Sequence, residues 1–348
     1  MRKYYGIELL RFLASLCIVL FHWGFSFAVL DLAEEKTYSH ILNKIYLNGG
    51  VAVSIFFVIS GIVFSNIYLD KENKSSFKDF FIKRFARLYP LHILTLFLII
   101  VIQFLFLKNF GDYQLYEDNS FYHFVLNIFL LLGLGFEDGK SFNQPVWSVA
   151  IEIYVYFIFF FLITLIKKFQ ITTVVCVYSI ILIIDKSNII GLDFLSRNEN
   201  YTVPFLDYAR LFFSGVFLFL IEKKIKNLKY LLIGTVFLLI LTTLVKFYFF
   251  IFIPSLVMLF ILFDKVITSN VLKKIFSIMG NLTYSMYLIH TVSFLCLLYV
   301  LKTMDKINFF ASSLSFWLYV IGTILISLIS FYYIEKPLNI KIRKKLIK

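Results

Sequence analysis

The run FYHFVLNIFLLLGLGF, residues 121–136, decides the fold, because whether it crosses a membrane sets the side on which everything after it lies. It is apolar but short. A helix across a hydrocarbon core about 30 Å thick needs roughly 17–25 residues. Gly133 and Gly135 weaken its second half, and Glu137 and Asp138 follow directly. The candidate spans around it are clearer. Before it lie 7–29, 50–69 and 88–107; after it lie 146–166, 204–221, 282–301 and 312–334. Shorter candidates occupy 171–185, 230–245 and 247–263, the last two split around Lys246. If 121–136 crosses, Lys167, Lys168 and every later basic loop fall outside. If it dips in and returns, most of the 34 Lys and Arg collect on one side, as is usual for cytoplasmic loops. The sequence therefore predicts an all-α, polytopic transmembrane bundle of ten spans, with both termini cytoplasmic and a re-entrant segment around 121–145. Irregular backbone at membrane depth is tolerated only beside protein or a watery cavity. The re-entrant segment thus predicts a cavity that opens outward.

Composition agrees with this reading. Of the 348 residues 60% are apolar and 16% charged, with a mean hydropathy of +0.86. Soluble domains run near 45–50% apolar and about 25% charged. The excess recurs along the whole chain, so residues 1–348 read as one integral-membrane domain with no sizeable soluble part. The net charge of +13 sits in short loops as a topology signal; the bilayer, not nucleic acid, is the partner it implies. Arg2 and Lys3 resemble a signal-peptide n-region, but the apolar run behind them exceeds the usual h-region of about 7–15 residues. It reads as a retained first span. Cys17, Cys176 and Cys296 lie in apolar runs, read as buried, and have neither disulfide nor metal-ligand spacing.

The chemistry lies in polar residues within apolar runs. The first span, GIELLRFLASLCIVLFHWG at 6–24, carries Glu8, Arg11 and His22. Arg11 and His22 are eleven residues apart. At about 100° and 1.5 Å per residue they share one face and differ by about 16 Å in height. Intramembrane ionisable residues are costly and usually functional, although Arg11 lies near enough to the surface to snorkel. In the second span, GGVAVSIFFVISGIVF at 49–64, Ser60 and Gly61 sit at mid-depth, where close helix packing explains small residues equally well. In FIKRFARLYPLHIL, 81–94, Lys83, Arg84 and Arg87 crowd the start of the third span, with Pro90 expected in its first turn. An Arg-x-x-Arg pair presents forked donors of the kind phosphates need. In NQPVWSVAIEIYVYF, 143–157, Trp147 belongs at the outer interface and Glu152 about 9 Å into the core. Glu152 and His22 then lie at similar depth, and a carboxylate beside an imidazole fixes its tautomer. Tyr284, Tyr287 and His290 form one inward face, compatible with aromatic packing or with a direct role. Asp207 and Arg210 read as a mutual ion pair, and Pro337 as the end of the last helix before a basic tail, 338–348.

Taken in order, Arg11 and His22, FFVISG (56–61), RFARLYP (84–90), PVWS (145–148) with Glu152, YSMYLIH (284–290) and YIEKP (333–337) resemble the acyltransferase type 3 family of membrane acyltransferases. The resemblance covers about residues 4–337. Many members have Gly-Val-Asp where this chain has Ala52-Val53-Ser54, and some carry a C-terminal hydrolase-like domain that is not expected in this chain, which ends at Lys348. The resemblance implies transfer of an acetyl group from cytoplasmic acetyl-CoA to a hydroxyl of an extracytoplasmic sugar. The acceptor would be capsule, exopolysaccharide, O-antigen, peptidoglycan or a lipid-linked sugar, and the location the bacterial cytoplasmic membrane. Acetyl-CoA is a co-substrate; no bound cofactor or metal is expected. Arg11, Arg84 and Arg87 are then the acyl-CoA site. His22 and Glu152 are the reaction centre, and Ser60, Trp147, Tyr284, Tyr287 and His290 are candidate lining. A transporter or flippase lined by the same charges is the rival class, and another acyl group such as succinyl the rival donor.

Overall fold

The structure, a computed structural model, describes residues 2–29, 49–69, 76–186, 205–225, 227–244 and 249–347. Its α-helices are α1 (Tyr5–Val29), α2 (Gly49–Tyr68), α3 (Phe77–Phe110), α4 (Phe121–Ile128), α5 (Trp147–Phe169) and α6 (Ile171–Lys186). The second half adds α7 (Phe205–Lys224), α8 (Leu228–Leu244), α9 (Phe249–Phe263), α10 (Asn270–Thr303), α11 (Ser313–Ser330) and α12 (Lys336–Leu346). No strand occurs among the described residues. Setting α4 and α12 aside, each of these helices falls on one of the predicted spans. By length and hydropathy, α1, α2, α3, α5, α10 and the α11–α12 rod are long and apolar enough to cross a membrane; α6, α8 and α9 are shorter apolar helices. Lys246 lies outside the described residues.

The 121–136 run forms only the eight-residue α4, about 12 Å of helix, and so cannot cross. Ser120 caps it, accepting from His123 N at 3.3 Å. The chain then bends through left-handed positions at Leu130, Gly133 and Gly135 and returns through the 3-10 turn Gln144–Val146 into α5. Buried polar bonds hold this irregular stretch in place. The Tyr89 hydroxyl donates to Ile128 O at 3.2 Å, and His92 Nε2 donates to Asn127 O at 2.9 Å. Asn143 Nδ2 reaches Leu288 O at 3.3 Å.

Glycines let the central helices touch. A Cβ on Gly61 would lie 2.0 Å from Phe212 O, and one on Gly215 would lie 2.0 Å from Val58 O. The small-residue reading of FFVISG therefore holds for Gly61, which seats α2 on α7. Helices α1 and α10 run alongside in the same direction, joined by Lys3 to Ser277 near their starts and His22 to His290 higher up. One face gathers the chain's beginning and its last helix. Arg2 pairs with Glu222 at 2.7 Å and Asp264 at 3.5 Å, and Asn66 Nδ2 donates to Arg2 O at 2.7 Å. On the same side, α12 packs on the start of α3. This basic face is the cytoplasmic one by the distribution of Lys and Arg.

Three expectations change. Pro90 lies inside α3, which begins at Phe77 and not near residue 88. Ser76 caps that earlier start by accepting from Asp79 N at 3.1 Å. Pro337 does not stop the last helix. A π turn, Phe331–Glu335, precedes it, and Pro337 falls in the first turn of α12. Cys176 and Cys296 lie on the exposed surface of the bundle, not in its core; apolar residues on a lipid-facing surface look the same in sequence as core residues.

Candidate active site

Helices α1, α2, α3, α5 and α10 surround a cavity of about 90 Å³ with both polar and apolar lining, room for a few waters. Its wall follows α2 from Val53 to Phe64, about 16 Å along the axis. Arg11, Arg84 and Arg87 line the end toward the basic face, and Ser148 lines the end beneath the re-entrant segment. Arg11 pairs with Glu8 at 3.3 Å. Among the described residues Arg84 and Arg87 form no ion pair. Arg84 stacks 4.1 Å above the Phe64 ring and donates to the Tyr68 hydroxyl at 3.3 Å. Stacking suits a planar guanidinium and leaves its edge free for an anion. Glu152 accepts from Ser60 and Tyr156 across the same cavity.

The upper end is latched by Tyr287. Its hydroxyl donates to Pro145 O at 2.6 Å and lies 2.6 Å from Ser148 Oγ. Beyond it, the Tyr287 and His290 ring centroids are 6.0 Å apart, and the His290 ring lies 4.5 Å from that of His22. The cavity thus connects to His22 through two rings of α10. His22 Nδ1 is 3.0 Å from Ile18 O. A carbonyl carries no proton, so Nδ1 must donate, and Nε2 keeps its lone pair. The next residue, Trp23, is fully buried, its ring centroid 4.2 Å from Phe310 and 5.1 Å from Tyr319. That packing fixes the rotation of α1 and with it the direction of His22.

The structure therefore brings together Arg11, Ser60, Arg84, Arg87, Glu152, Tyr284 and Tyr287, and sets His22 with His290 in a second group. The expected His22–Glu152 pair does not form. The equal depth expected of the two is not observed: Glu152 bonds Ser60 and Tyr156, whereas Phe21, beside His22, meets Gly49 at the other end of α2, eleven residues or about 16 Å from Ser60, and the carbonyl of Ile18 does the orienting work instead. Trp147 lies outside the cavity, 5.2 Å from the Tyr208 ring. Beside α4 lies a groove of about 350 Å³, lined chiefly by apolar residues such as Phe97, Phe104, Phe121 and Phe124, with Gln103 and Asn119 among them. Two buried residues escaped the sequence reading. Tyr156 lies four residues after Glu152, the spacing at which helix side chains meet. Glu335 sits within YIEKP, where an acidic residue in an apolar run is itself a signal. It accepts from Ser285 Oγ at 2.7 Å, in electrostatic reach of Arg87 and Arg11, and it lies in a π turn, a feature frequent at functional sites.

No solved structure matches the chain. Two curated proteins are similar over part of it. One is the peptidoglycan O-acetyltransferase OatA of Listeria monocytogenes, 29% identical over 163 residues, covering 43% of this chain and 23% of that protein. The other is an uncharacterized protein of Haemophilus influenzae, 31% identical over 137 residues, 37% of this chain and 56% of that protein. This chain therefore aligns with little more than half of one relative and under a quarter of the other. The match that spans the fold is to a family profile described as an acyltransferase domain, over residues 4–334. That stretch contains the three cavity arginines, His22, His290 and the re-entrant segment, and by it the chain belongs to the acyltransferase type 3 family.

Proposed function

We propose that the protein is a membrane O-acetyltransferase of the bacterial cytoplasmic membrane, moving acetyl from acetyl-CoA at its basic face to a hydroxyl of an extracytoplasmic sugar. The observation that carries this reading is the cavity: two guanidiniums at its basic end and a histidine beyond its far end whose Nδ1 donates to Ile18 O, the guanidiniums having no carboxylate partner and Nε2 no hydrogen bond among the described residues. The name of the Listeria relative supports a cell-surface glycan as acceptor.

CoA is too large and too anionic to cross. Its phosphates stay at Arg84 and Arg87, with Arg11 deeper, while the pantetheine arm follows the α2 wall past Ser60 and Glu152. The Tyr287 latch must shift for the thioester to meet His22. There Nε2 takes the proton of the sugar hydroxyl as its oxygen attacks the thioester carbonyl. The new C–O bond forms and the C–S bond breaks. The electron pair leaves on sulfur, and the CoA thiolate recovers the proton from the imidazolium. His290 packs at a tilt against the ring and keeps it aimed. Glu152 belongs to the donor passage in this reading, not to the proton transfer.

Mass spectrometry of surface glycans with and without the gene tests it. The expected result is loss of an alkali-labile acetyl ester from one glycan. A succinyl ester lost instead would change the donor. Unchanged esters with an undelivered glycan accumulating in the cell would make the protein a transporter.

A further inference from the structure

CoA carries more charge than the cavity accounts for. Besides its diphosphate it has a monoester phosphate on the ribose 3′ position, at the end remote from the thioester. A second basic depression lies against the start of α3, beside the cavity. It measures about 330 Å³ and is lined by Lys83, Ile340, Arg343, Lys344 and Ile347. It forms where α12 packs on α3. The four residues of the C-terminal segment stand at i, i+3, i+4 and i+7 and so share one helix face. On a helix lying on lipid, cations and apolar residues segregate to opposite faces. Here two isoleucines and two cations share the face turned toward Lys83. None of the three cations pairs with a carboxylate among the described residues. Lys83 immediately precedes Arg84, and Arg87 is one turn on, about 6 Å along the α3 axis. The basin and the arginines of the cavity thus lie within one helix turn of each other along α3.

We infer that this basin binds the 3′-phosphate and adjoining adenosine of the acyl-CoA donor, with the isoleucines against the base and Lys83, Arg343 and Lys344 around the phosphate. The inference rests on acetyl-CoA being the donor. The same phosphate chemistry is offered by an anionic lipid headgroup, so the test must separate the two.

The test is calorimetric titration of the full-length protein, in neutral detergent, with CoA and with dephospho-CoA, which lacks only the 3′-phosphate. The wild type should bind CoA roughly tenfold to a hundredfold more tightly. In the Arg343→Ala/Lys344→Ala variant that preference should fall to about twofold or less while dephospho-CoA affinity stays unchanged, which also shows that the fold and the arginine cavity are intact. Lys83→Ala should reduce the preference from the α3 side. Equal binding of the two ligands by the wild type would overturn the inference and, if acetyl-CoA still supports transfer, leave the function standing. Equal loss of both ligands in the double variant would also overturn it. So would a basin that responds only to anionic lipid added to nanodiscs, which would make it a headgroup site. A CoA preference without acetyl transfer would keep the site and remove the function. No binding of CoA at all would remove both.

Discussion

Alanine at position 22 is expected to lower acetyl transfer by roughly a hundredfold to ten-thousandfold, the range of a lost general base. The donor's apparent affinity should stay close to wild type. The Ile18 carbonyl commits Nδ1 to donation, so Nε2 is the ring atom left to accept a proton, and alanine removes it without disturbing the arginines lower in the passage. The assay is initial rate against acetyl-CoA concentration in membranes of matched expression. A single radiolabel experiment divides the two chemical routes. With a general base, label from acetyl-CoA does not stay on denatured protein. With acetyl carried on Nε2 it does, and it disappears in His22→Ala. Glu152→Gln supplies the contrast. Because Glu152 is bonded to Ser60 and Tyr156 and not to His22, it should act through donor binding more than through the maximal rate.

The second large effect belongs to Arg84 and Arg87. Arg84→Ala and Arg87→Ala should each raise the acetyl-CoA concentration needed for half-maximal rate by about 10- to 150-fold. That range corresponds to losing one charge-assisted contact of ~1.5–3 kcal/mol. Lysine should rescue partly, keeping the charge while losing the fork. Rescue should be weaker at position 84, where the guanidinium also stacks on Phe64. The two arginines share a cavity and one ligand, so the double variant should fall short of the product of the single effects. Unchanged donor dependence in both alanine variants would take the pair out of the donor site.

Much of this was legible because membrane helices obey few rules. Hydropathy located the spans, and the Lys and Arg bias turned the 121–136 run back on itself; α4 and the left-handed turns after it are that reversal in detail. The shared face of Arg11 and His22 followed from helix periodicity alone, as did the inward face of Tyr284, Tyr287 and His290. The partner of His22 did not follow. Counting residues from an assumed membrane surface gives neither the true depth of a helix nor its rotation, and His22 lies near the Gly49 end of α2 while Glu152 lies at Ser60. The depth and rotation of α5 are set by packing that no single helix encodes. Trp147 failed for the same reason, turning toward Tyr208. Helix ends were illegible where polar caps outweigh hydropathy, as at Ser76, which starts α3 well before its apolar run. Glu335 was visible as a letter but not as a neighbour of Arg87, since that closeness depends on the π turn and on how α12 folds back along α3.

The central claim is that one passage joins a donor on one side of the membrane to an acceptor on the other. Proteoliposomes holding the purified protein in a single orientation, basic face outward, measure it directly. Radiolabelled acetyl-CoA is supplied only outside, and a glycan acceptor is sealed only inside. The account predicts labelled acetyl ester on the enclosed glycan, at a rate abolished by His22→Ala and requiring no acetyl-CoA in the lumen. Ester formed only when donor and acceptor share a side would contradict it, even if the enzyme proved fully active.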